Sequence, residues 1–79
     1  MQSIEEEFTQ ILIFMGIQKE SIRKEASLLI DYDFDESRFI LLALYIGIFF
    51  RINVKESEYA EFDTVGGTIN FVKKKLRNV

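Results

Sequence analysis

Between Arg38 and Arg51 the chain runs for twelve residues, Phe39-Ile40-Leu41-Leu42-Ala43-Leu44-Tyr45-Ile46-Gly47-Ile48-Phe49-Phe50, without a single charge. A helix that is apolar on every side is either buried on every side or set in a bilayer. Spanning a bilayer takes about 20 residues, so this segment reads as a core helix that the rest of the chain must cover. A pair of strands over residues 39–54 is the competing reading, because Phe and Ile favour strands. Sixteen residues without a turn signal argue against it.

Covering that helix falls to a short chain. Its 79 residues make one domain, 1–79, in which a few helices must pack on one another. With 48% hydrophobic residues, eight Phe, three Tyr and no Cys, it has the apolar mass for a core without disulfides. Ser3 followed by Glu6 is a capping box, and Ile4, Phe8, Ile11, Leu12 and Met15 then repeat on one helix face until Gly16 ends the helix. A long connection follows, with Ile17, Ile22, Leu28 and Leu29 as its apolar anchors. The central helix opens at Asp35 or Glu36, a short third helix lies around residues 57–62, and a fourth starts at Thr64 with Val65, Ile69, Val72 and Leu76 on one face. No proline interrupts any of them. Periodicity alone therefore predicts an all-α fold, a small bundle with a long first loop.

Three small helices cover only part of the central one. Leu41, Leu44 and Ile48, spaced 0, 3 and 7, are left as an outward stripe, the kind of surface that marks a protein partner. Gly47 costs about 1 kcal/mol in a helix relative to alanine and so calls for a packing reason. With Ala43 it makes a small-xxx-small step along which another backbone can approach. The stripe, flanked by Arg38 and Tyr45, is expected to serve a helix-in-groove contact or a homodimer through this helix; the alternative is that the long first loop covers it.

The approach Ala26-Ser27-Leu28-Leu29, the positions Asp31-Tyr32 and Asp35, the first helix closing on Met15-Gly16-Ile17 and the closing segment Phe62-Asp63-Thr64-Val65-Gly66-Gly67-Thr68-Ile69-Asn70-Phe71-Val72 together resemble the acyl carrier proteins of bacterial fatty acid and polyketide synthesis. The likeness spans nearly the whole chain and needs no gap. It implies the carrier fold, a four-helix bundle with a long first loop and a short third helix. In that family a serine that follows an aspartate and precedes a leucine is esterified with 4'-phosphopantetheine, whose thiol carries the acyl chain. The ungapped register puts Glu36 in that place, with Ser37 next.

Two registers compete for the attachment position. With Glu36 there, Ile40, Leu42, Ile46, Phe50 and Val54 fall on apolar positions of the family. With Ser37 there, Arg38 replaces the following leucine and Arg51 falls where a buried phenylalanine belongs, which buries a charge without a partner. The first register is the favoured one, and it leaves the arm no attachment oxygen. Ser37 stands about 100 degrees further round the helix and stays a possible attachment residue, although a serine at a helix start also serves the free backbone N–H groups there. The family usually displays acidic side chains along its second helix, on which basic enzyme surfaces dock. Here no carboxylate occurs between Glu36 and Glu56.

Other chemistries find little support. Asp31, Asp33 and Asp35 alternate as in the first half of a calcium loop, but its sixth position, which needs Gly, holds Glu36 and its twelfth, which needs Glu, holds Leu42. No metal site is expected. There is no His and no Cys, and the adjacent Asp35 and Glu36 diverge at a helix start, so no enzyme activity is expected. Lys73, Lys74, Lys75 and Arg77 sit where the helix dipole is negative, in a chain of net charge -3, and read as a solvated helix end rather than a nucleic-acid patch. The acidic start, Glu5-Glu6-Glu7, lacks the basic character of a targeting segment, so a cytoplasmic location is the expectation.

The resulting expectation is a carrier-like module without its arm, binding a synthase or acyltransferase, or another carrier protein, through helix two. The alternatives are a working carrier with 4'-phosphopantetheine on Ser37, and a small lipid-binding bundle.

Overall fold

The Ser3 hydroxyl accepts a hydrogen bond from the Glu6 backbone N–H at 3.1 Å and the Glu6 carboxylate accepts one from the Ser3 N–H at 2.9 Å, so both ends of the capping box are closed. From this cap α1 runs over Ile4–Phe14 and buries Phe8, Ile11 and Leu12. It ends as expected at Gly16, whose φ of 99° is open to glycine and strained for any other residue. The Ile17 N–H reaches back to the Leu12 carbonyl and the Gly16 N–H to that of Ile13, the double bond of a Schellman motif. The computed structural model from which these distances come describes residues 3–77.

The first connection is long and holds only a 3-10 turn, Lys19–Ser21. It is fixed by backbone bonds to the start of the last helix: Leu28 N–H to the Asp63 carbonyl, Val65 N–H to that of Ala26, and Gly66 N–H to that of Lys24. Ser27 and Thr64 form an isolated antiparallel bridge there. Ala26, Leu28 and Phe34 are the buried anchors of this loop, with Ile17 and Ile22 half-buried. Leu29, expected as an anchor, is 59% exposed, because the turn that follows Leu28 carries it outward.

Asp35 caps α2, Glu36–Phe50, by accepting from the Arg38 N–H at 2.9 Å. The uncharged segment is thus a single helix, and the strand reading is excluded. Its buried residues are Leu42, Ala43, Ile46 and Phe50. Arg51 closes it in a left-handed conformation, with its N–H on the Gly47 carbonyl. A second 3-10 segment, Glu56–Glu61, stands where the short third helix was expected.

The last helix, α3, runs over Val65–Arg77 and buries Val65, Thr68, Ile69, Phe71 and Val72. Thr64 is its cap and not its first residue, accepting from the Gly67 N–H at 2.9 Å. The three α-helices pack on one another. Their buried side chains, with Phe34 and Phe62, form one apolar cluster, so the fold is all-α. Among the described residues no helix is long and apolar enough to cross a membrane.

Candidate functional site around helix α2

The N-terminal end of α2 gathers the polar positions that the sequence singles out. Glu36 is the first residue of the helix, directly after the Asp35 cap, and Ser37 is the second; both side chains are exposed. Neither makes a side-chain hydrogen bond among the described residues. Asp31 is spent within the loop, accepting from the Ser27 N–H at 2.7 Å, and Asp33 turns the chain at φ 57°. Among the described residues no three carboxylates are grouped as a metal would require.

Arg38, expected to face a partner, is also held within the fold. Its Nη1 donates to the Met15 carbonyl at 2.9 Å, and its guanidinium lies 5.8 Å from the centre of the Phe34 ring. The first turn of α2 is thereby tied to the carbonyl of Met15, the C-cap of α1. The sequence offers no signal for this contact, since residues 15 and 38 meet only through the tertiary fold.

Along α2 the apolar side chains divide cleanly. Leu42, Ile46 and Phe50 face the core, whereas Leu44 is 56% and Ile48 61% exposed. Leu41 is less open, at 37%. Ile40, placed at an apolar family position by the favoured register, is itself half exposed and stands beside Leu44 and Ile48, one turn apart from the former and two from the latter. The long first loop leaves this surface uncovered. Beside it runs a groove of about 360 Å³, floored by Ala43 and Gly47 and walled on its far side by Ile52, Val54 and Tyr59.

Gly47 has its packing reason inside the chain. A Cβ there would stand 3.2 Å from the Ile52 carbonyl oxygen, and the Ile52 N–H bonds to the Gly47 carbonyl at 3.3 Å. The backbone that approaches this small residue is the chain's own, as it turns out of α2. The notch still opens onto the groove.

Tyr45 lies on the other flank of α2, in an aromatic group with Phe14 and Phe49 whose ring centres are 6.0–6.3 Å apart. Phe14 is 71% exposed, a position the sequence reading passed over. The signal was present: Phe14 falls off the α1 face formed by Phe8, Ile11, Leu12 and Met15.

The basic end of α3 is paired with carboxylates. Lys73 reaches Glu5 at 3.0 Å, Lys75 reaches Glu58 at 2.7 Å and Lys74 lies 3.8 Å from Glu61. The hydrogen bond from Lys75, and that from Lys73, hold the Glu58 and Glu5 carboxyls below their ordinary range. These pairs tie α3 to the second 3-10 segment and to α1. A concavity of about 450 Å³ is lined by Lys74, Lys75, Glu58 and Glu61 together with Arg51 and Phe71.

No protein-family model matches this chain, and no curated protein sequence matches it.

Proposed function

We propose that this chain is an acyl-carrier-like module that lacks the phosphopantetheine arm and acts by binding protein partners through α2. The observation that carries the reading is the burial register of α2: Leu42, Ile46 and Phe50 are in the core, while Arg51 is exposed. Except at the half-exposed Ile40, that register agrees with the alignment that sets Glu36, and not Ser37, at the family's attachment position. A carboxylate there cannot form the usual phosphodiester. The architecture is compatible with the carrier bundle: a capped first helix, a long tethered loop, a central helix, a 3-10 third element of about two turns and a final helix.

What such a module would offer its partner is apolar. The uncharged α2, with Leu44 and Ile48 open and a groove alongside, replaces the acidic docking surface usual in the family, so a synthase, an acyltransferase or another carrier would meet it by burial of apolar area. No catalytic residue enters this reading.

The groove supports a second reading, a lipid-binding bundle. It lies between α2 and the second 3-10 segment, is lined largely by apolar residues, and is long enough in the α2 direction to span Ile40 to Ile48. Native mass spectrometry of the purified chain decides this: a co-purifying lipid favours it, and a bare protein mass excludes it. The main reading is tested by enzymatic transfer of phosphopantetheine from coenzyme A, comparing wild type with Ser37→Ala and Glu36→Ser.

A further inference from the structure

We infer that the partner of the α2 face is a second copy of this chain, and that the two α2 helices pair antiparallel with Leu44 at the two-fold axis. The inference deepens the reading of α2 as a binding surface. Two observations carry it: a spacing of open apolar residues that is symmetric about one position, and opposite charges at the two ends of the helix.

The row is centred on Leu44, with Ile40 four residues before it and Ile48 four after; all three are half exposed or more. At about 100 degrees per residue these positions cover one face of the helix, with Ser37 and Arg51 continuing it at either end. A two-fold contact brings a surface against itself, so each feature of the row must find its complement within the same row. Antiparallel pairing about Leu44 provides this. Leu41 of one copy then lies beside Ile48 of the other. Ile40 lies beside Gly47, which lines the groove.

The charges select the orientation. Glu36 is exposed at the first turn and Arg51 is exposed at the cap, and neither has an ion-pair partner among the described residues. No charge lies between Arg38 and Arg51. Antiparallel pairing sets Glu36 of each copy beside Arg51 of the other, twice by symmetry, whereas parallel pairing sets like against like at both ends. The helix dipoles favour the same orientation, since each negative end then meets a positive one. One helix face from each copy makes a small contact, at the low end of specific interfaces.

Sedimentation velocity over a concentration series reaching about 1 mM, high enough to reveal a weak dimer, tests the pairing. Wild type is expected to shift from monomer to dimer. Leu44→Glu is expected to stay monomeric, with circular dichroism confirming that it is folded, as the exposure of Leu44 predicts. Arg51→Glu is expected to weaken the dimer roughly tenfold through two like-charge contacts, and the double exchange Glu36→Arg with Arg51→Glu to restore it. A monomer throughout, a dimer indifferent to Leu44→Glu, or a double exchange no better than Arg51→Glu overturns the pairing. Phosphopantetheine transfer to Glu36→Ser is read separately on the same preparations, so failure of the carrier reading and failure of the dimer are distinct results.

Discussion

The Arg38 guanidinium donates to the Met15 carbonyl at 2.9 Å, so the first turn of α2 closes the last turn of α1 across 23 residues of chain. The contact caps a helix end that carries no basic residue of its own in its last turn. It also spreads the cation over the Phe34 ring, 5.8 Å from its centre. Arg38→Ala removes both, and a charged hydrogen bond at a partly buried carbonyl is worth about 1–2 kcal/mol. The melting temperature is expected to fall by roughly 5–10 °C. Arg38→Lys recovers only part of this, because an ammonium lacks the planar fork that stacks on Phe34 while bonding Met15. Thermal unfolding followed by circular dichroism measures both.

Arg51 adopts φ 55° at the end of α2, a conformation that glycine takes without strain. Arg51→Gly is expected to raise monomer stability by about 0.5–1 kcal/mol. If the charge at this position serves association, the same variant is more stable and yet dimerises less well. Denaturant unfolding at low concentration, set beside sedimentation, separates the two effects.

Phe34 is 1% exposed although it belongs to the loop before α2, and its ring packs edge-on against Phe39 at 5.4 Å. Its N–H also bonds the Leu28 carbonyl, so ring and backbone together close the loop. Phe34→Ala is expected to cost about 3–5 kcal/mol. In a domain of this size that is a large share of the total stability, and urea unfolding should show the midpoint collapse.

Acid weakens the ties of α3. The Glu58 and Glu5 carboxyls sit below their ordinary value of 4.5 because lysine hydrogen bonds favour the charged form. A folded-state value lower than the unfolded one stabilises the protein above the unfolded value, and that contribution is lost as pH falls through the folded one. The melting temperature is therefore expected to drop below about pH 4.5. Lys75→Met, which removes the closer pair at 2.7 Å, should flatten that part of the profile.

The helices were legible in the sequence because each leaves a local trace: the Ser3 and Glu6 box, the spacing of Phe8, Ile11 and Leu12, and the Val65 to Leu76 face. The bonds that hold the long loop were not, since those between Ala26 and Val65 and between Leu28 and Asp63 join backbone to backbone and select no side chain. Leu28 and Leu29 are the same residue type side by side, and only the turn decides which is buried. The site shows the same division. The exposure of Leu44 and Ile48 follows from having too few helices to cover α2, whereas the Arg38 contact with Met15 and the Ile52 carbonyl over Gly47 depend on where distant or folded-back segments meet. The lysines at 73–75 read as a solvated end because their carboxylate partners, Glu5, Glu58 and Glu61, lie on other elements.

The most direct test of the carrier reading is the intact mass after incubation with coenzyme A and a promiscuous phosphopantetheinyl transferase. Wild type and Ser37→Ala are expected to remain unmodified, and Glu36→Ser to gain one phosphopantetheine. An arm on wild type that disappears in Ser37→Ala makes Ser37 the attachment residue and contradicts the loss of the arm, and an unmodified Glu36→Ser contradicts the carrier reading itself.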